Sequence, residues 1–107
     1  MGKKPLSVTK TDEDVSVLEK EDIREPNRYT IVLHNDDFTT QDFVVHVLVS
    51  FLHQGPQQAH FLMLKVHREG KARVGSFIKD IAETKVQQIT AYSRQHGMPL
   101  LATVDEE

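Results

Sequence analysis

Tyr29-Thr30-Ile31-Val32-Leu33-His34-Asn35-Asp36-Asp37-Phe38-Thr39 is the stretch that decides how this chain folds. Tyr29 to His34 is rich in β-branched and aromatic residues and reads as a strand. It stops at three consecutive small polar side chains, Asn35, Asp36 and Asp37. Thr39 or Thr40 can then cap a helix. Two carboxylates and an amide at one junction repel each other unless something positive sits among them. A helix start supplies part of that, because carboxylates suit its positive end and Asn and Asp favour turns. This explains one Asp comfortably, and two plus an Asn less well. The alternative is a cationic ligand. Calcium does not fit, since no Asp or Asn follows at the right alternation and neither the Gly nor the closing Glu of a calcium loop is present.

Working outward, the helix after this corner runs to about His53. Phe43, Val44, Val47, Leu48 and Phe51 form one stripe at helical spacing, and Val45, Val49 and Leu52 a second beside it. Such a helix must be covered on two sides. Gly55-Pro56 ends it and starts another, Pro being favoured at the first helical position. Ala59, Leu62, Met63 and Val66 make the inward stripe of the second helix, His67 follows at its edge, and Gly70 ends it. Lys71 to Phe77 reads as a strand, with Ala72, Val74 and Ser76 alternating weakly against Arg73 and Gly75. Lys79 to His96 reads as a third helix, with Ile81/Ala82, Val86 and Ile89 inward and Gly97 placed to terminate it. Pro99 leads into a last strand, Leu100 to Val104. The order is β-α-α-β-α-β, an α+β domain of two layers: a three-stranded antiparallel sheet packed on three helices.

Composition narrows the function classes. At 107 residues and 38% hydrophobic content the chain fits one domain. Residues 1–25 carry few large apolar groups and mixed charge, and are expected to form a flexible extension ahead of a core over 26–107. Residues 26–104 hold eight basic and six acidic side chains. That field is too weak to argue for nucleic acid, which usually needs a clustered basic stripe. There is no cysteine, hence no disulfide frame and no thiolate chemistry. No run approaches the roughly 18 apolar residues of a membrane span, and no signal-peptide core stands at the N-terminus. The expected setting is the cytoplasm.

His46, His53, His60 and His67 recur every seven residues and mimic a metal ladder. The break at Gly55-Pro56 destroys their helical register, which argues against a metal site, and no cofactor is expected. Asp36 or Asp37 with His67 could form a base and its orienting carboxylate. No nucleophile elbow and no Gly-rich phosphate loop accompanies them, so an enzyme is not expected.

Four separated stretches carry a family resemblance. Tyr29-x-Ile31-x-Leu33-x-Asn35-Asp36-Asp37-x-Thr39 followed by Phe43-Val44, then Met63-Leu64-x-Val66-His67-x-x-Gly70-x-Ala72, then Ala82-Glu83-Thr84-Lys85-Val86, and near the end Pro99-Leu100-Leu101, resemble in order the signatures of the ClpS family. The resemblance covers roughly residues 26–104. It implies an adaptor that hands N-degron substrates to the ClpA unfoldase of the ClpAP protease. It further implies that Asn35, Asp37 and His67 hold the α-ammonium of a polypeptide N-terminus, directly or through water. Asp36 would add negative field and shape the loop. Leu33, Thr39, Gln41, Val44, Met63, Val66 and Leu100 would line a pocket for a first side chain that is Leu, Phe, Tyr or Trp. Asp80 and Lys85 match positions that touch the N-terminal domain of the unfoldase. The family often has Met where this chain has Gln41, which weakens the expected rejection of Ile and Val. Two rivals remain open: an interaction domain without preference for free N-termini, and a small hydrolase built on His67 and Asp37.

Overall fold

A computed structural model describes residues 27–107. The expected extension 1–25 and the start of the core at residue 26 lie outside the described residues. The elements are β1 (Arg28–His34), α1 (Gln41–Leu52), α2 (Pro56–Glu69), β2 (Lys71–Ile78), α3 (Lys79–Gln95) and β3 (Leu101–Glu106). All three strands are antiparallel in the order β2-β1-β3. The α+β order β-α-α-β-α-β and the sheet-on-helices layering are those expected from the sequence. None of the helices among the described residues is long and apolar enough to cross a membrane.

β1 is central because it alone is buried along most of its length. Ile31 and Leu33 point into the core at 0% exposure, and Val32 is buried on the opposite face of the sheet. The core joins these residues to Val44, Val47 and Leu48 of α1, Met63 and Val66 of α2, Ala82 and Ile89 of α3, and Leu100 before β3. Helix α1 packs against α2, α3 and β2, which gives its wide apolar surface the cover it requires. Thr40 caps α1, its hydroxyl accepting from the Phe43 amide at 3.1 Å. The far end of α1 closes on His53 in the left-handed region, φ 57°. Lys85 of α3 donates to the Phe51 carbonyl at 2.9 Å, satisfying one acceptor of that last turn.

Two details depart from the sequence pattern. The alternation in β2 changes phase, because the register with β1 slips between Ile31 and Val32. Ile31 faces Gly75 and Val32 faces Arg73, so Val74 is the extra residue of a bulge. Before it Ala72 and Val74 are buried as expected; after it Ser76 turns outward and Phe77 packs against the core. Gly75 suits this place, since a Cβ there would stand 2.8 Å from Cε2 of Phe77. In α3 the buried stripe is Ala82, Ile89 and Ser93 with Val86 half-buried, whereas Ile81 is 45% exposed. Ile81 precedes Ala82 by about 100° of helical rotation and so falls on the flank.

Candidate functional site

The corner after β1 is held by its own side chains. Asp36 accepts from the Phe38 amide at 2.8 Å and the Thr39 amide at 2.7 Å through Oδ1, and from the Thr39 hydroxyl at 2.7 Å through Oδ2. This is the local turn that Asp favours, and it leads straight into the Thr40 cap. Burial pushes the Asp36 carboxyl up, but the Thr39 amide and hydroxyl, the Phe38 amide and the charge of Arg94 outweigh it, and the carboxyl ends below its ordinary value of 3.8. Asp36 is therefore ionised and committed to the loop. Its neighbours Asn35 and Asp37 are exposed.

A second link brings α2 to this corner. The Asn35 amide donates to the Gly70 carbonyl at 2.9 Å, while the Gly70 amide donates to Val66 at 2.9 Å. Gly70 makes that reversal with φ 87°, a left-handed conformation that glycine adopts without penalty. Because the loop after β1 is tied to the end of α2, His67 on the last turn of α2 comes to stand beside Asn35 and Asp37. These residues line one cleft of about 420 Å³ together with Asp36, Phe38, Thr39, Thr40, Gln41, Val44, Met63 and Val66. The volume lies within the roughly 300–1,000 Å³ usual for ligand pockets. One wall is polar and acidic. The other is formed by Val44, Met63 and Val66, which are buried apart from the edges they turn to the cleft.

Nine of the residues singled out from the sequence thus meet at one place: Asn35, Asp36, Asp37, His67, Thr39, Gln41, Val44, Met63 and Val66. Leu33 and Leu100 do not reach the cleft surface. They are sealed in the core at 0% and 1% exposure, Leu33 on the inward face of the central strand and Leu100 at the entry to β3. Phe38 and Thr40 join the lining without having been picked out. An exposed Phe inside a polar turn is the signal that could have found Phe38. Asp80 is exposed in the first turn of α3, away from the cleft, where a carboxylate suits the helix dipole. Lys85 is half-buried, with its ammonium on the Phe51 carbonyl and 5.5 Å from the Phe77 ring centroid. Among the described residues no group of three or more His, Asp or Glu side chains could hold a metal ion.

Comparison with known proteins agrees with this architecture. The family model described as "ATP-dependent Clp protease adaptor protein ClpS" matches residues 24–103. The ATP-dependent Clp protease adapter protein ClpS of Vibrio cholerae is 46% identical over 95 residues, covering 87% of this chain and 90% of its own. The adapter of the same name from Oleidesulfovibrio alaskensis is 42% identical over 96 residues, covering 90% of this chain and 92% of its own. Among solved structures, Agrobacterium tumefaciens ClpS2 bound to L-phenylalaninamide superposes with a TM-score of 0.74 at 35% identity, over 78% of this chain and 100% of that one. Fold, cleft and relatives together define a protease adaptor. The chain belongs to the ClpS family.

Proposed function

We propose that this adaptor binds the free N-terminus of polypeptides whose first residue is Leu, Phe, Tyr or Trp, and delivers them to a ClpA-type unfoldase. The observation that carries this reading is the joining, in one cleft, of an acidic corner and an apolar wall. An α-ammonium offers three donors, and the Asn35 amide oxygen, the Asp37 carboxylate and a His67 ring nitrogen are acceptors of matching number. Asp36 contributes field, since its oxygens already hold the loop. The first side chain enters against Val44, Met63 and Val66, with Thr39 and Gln41 at the mouth. Leu33 and Leu100 act from beneath as the packed floor that keeps those walls in place. L-phenylalaninamide, which the Agrobacterium relative binds, has both features: a free α-amino group and a large apolar side chain.

Magnitudes favour a two-part lock. A charge-assisted hydrogen bond contributes about 1.5–3 kcal/mol and burial of a Leu or Phe side chain roughly as much. Two or three such terms sum to roughly 3–9 kcal/mol before the cost of association, so one alone is offset by that cost and both halves are needed. Neither half suffices alone, so the cleft demands a free amine and an apolar first residue together. Titration of a Phe-led peptide against its N-acetylated form tests this directly. The free peptide should bind and the acetylated one should not; equal binding would overturn the assignment.

Delivery requires a second surface clear of the cleft. The exposed first turns of α3 offer one: Asp80 and Glu83 flank Ile81, a large apolar side chain left 45% exposed. Asp80 would contact the unfoldase N-terminal domain directly, and Lys85 would act chiefly by holding α1 to α3. Asp80→Ala should weaken capture of that domain while leaving peptide affinity unchanged. Loss of both together would argue for a structural role instead.

A further inference from the structure

We infer that a second subsite adjoins the cleft, a shelf formed by Phe38, Arg94, Gly97, Met98 and Pro99, and that it receives an apolar side chain from the second or third residue of the bound polypeptide. This deepens the proposed function and rests on it.

The shelf borders a hollow of about 360 Å³. Phe38 is the wall it shares with the first cleft, so the two hollows adjoin at one aromatic ring. Phe38 is 78% exposed, yet it does not belong to a loose loop: its amide is clamped to Asp36 at 2.8 Å. The far side of the shelf is equally well held. Gly97 turns the chain after α3 with φ 72°, and the Met98 amide donates to the Ser93 carbonyl at 2.8 Å. Arg94 Nη1 donates to the Met98 and Leu100 carbonyls, both at 3.0 Å. A shelf ordered before binding lowers the entropy cost of a contact made on it.

The chemistry selects the occupant. A polypeptide anchored by its first residue has its next Cα about 3.8 Å away, so the residues just behind the anchor are within reach of the Phe38 rim. Phe38, Met98 and Pro99 present apolar surface there. The neighbouring carboxylates of Asp36 and Asp37 disfavour an acidic side chain close behind the amine. Arg94 is exposed, and its guanidinium has further N–H donors that can meet a backbone carbonyl of the guest.

Binding of four free-amine peptides, led by Phe-Gly-Gly, Phe-Leu-Gly, Phe-Gly-Leu and Phe-Asp-Gly, tests the shelf. One of the two Leu-bearing peptides should bind about fivefold tighter than Phe-Gly-Gly, the size of a partly buried Leu. In Phe38→Ala that advantage should fall to within about twofold, while acetylation still abolishes binding. Met98→Ala, checked for folding by circular dichroism, should lower the same advantage. Equal affinity of all four peptides, or preference for the Asp peptide, would overturn the shelf and leave the first cleft standing. If no Phe-led peptide binds, both assignments fall together.

Discussion

Helix α1 has two flanks that began with the same material and ended differently. On one flank Phe43 and Phe51 are covered from within the chain by Tyr92 of α3. Its ring lies 5.7 Å from Phe43 and 5.2 Å from Phe51, and it also packs against His46 and His96 at 5.6 and 4.2 Å. The Tyr92 hydroxyl completes that flank through a 3.0 Å hydrogen bond with His46 Nε2. On the other flank Val44 faces Met63 and Val66 across the cleft, and no side chain of α3 enters there. The contrast separates stability from function. Where an aromatic ring from the chain fills the groove, the protein gains packing. Where the groove stays open beside an acidic corner, a guest side chain can do for the cleft what Tyr92 does for the closed flank.

Breaking the closed flank should have the largest effect. Tyr92→Ala should lower stability by about 3 kcal/mol, read by urea unfolding, because it removes a ring packed against four neighbours, stacked on Phe43 and His46 and tilted against Phe51 and His96. Its peptide affinity should stay within about twofold of the parent. A matching loss of affinity without loss of stability would mean that the two flanks are not separate.

The open flank should behave in the opposite way. Asp37→Ala should weaken binding of a Phe-led peptide by about 2 kcal/mol, some thirtyfold, and change stability by less than about 0.5 kcal/mol. Asp37 is exposed, so its removal leaves no buried group unpaired. A large drop in stability would assign Asp37 to the loop rather than to a ligand.

Asp36 sharpens the comparison because it serves the open flank from within. Its carboxyl holds a proton more weakly in the fold than in the unfolded chain. Its contribution is therefore complete above the ordinary value of 3.8 and is lost as pH falls through the lower, folded value. Hydrogen exchange at the Phe38 and Thr39 amides should accelerate on acidification through that range, before the amides of β1. Asp36→Ala should reproduce the faster exchange at neutral pH and cost about 1–2 kcal/mol, the figure being modest because water screens this half-buried group.

The smallest effect should come from Ser93. Its Oγ is fully buried and, among the described residues, has no hydrogen-bond partner. Ser93→Ala removes an unsatisfied hydroxyl and should raise stability by about 1 kcal/mol without touching either flank.

Much of this was legible residue by residue. The strand Tyr29–His34, the stripes of α1 and α2 and the stop at Gly70 follow from side-chain period and turn chemistry. The phase of β2 after Val74 was not legible, because a bulge depends on the partner strand as much as on its own residues. Ile81 and Ala82 could not be ranked for the same kind of reason, since adjacent helical positions differ only in which neighbour they meet. In the site, the Asn35-Asp36-Asp37 cluster drew notice as a repulsive corner, but composition could not divide the labour within it. Phe38 escaped notice because nothing in a linear pattern distinguishes an aromatic held outward from one turned in.

The sequence by itself determined the order of elements, the capped and terminated helices and the existence of an acidic corner, since these depend on interactions within a few residues. Only the tertiary structure decided that Asp36 closes the loop while Asp37 remains exposed, that His67 stands beside Asn35, and that Leu33 and Leu100 belong to the core. The Asp36 bonds to Phe38 and Thr39 are local, and only the folded geometry shows which carboxylate makes them. The placing of His67, Leu33 and Leu100 rests on contacts between distant segments, above all the Asn35 amide on the Gly70 carbonyl. Such contacts are fixed by how the sheet and helices pack, a property that no local stretch of the chain contains.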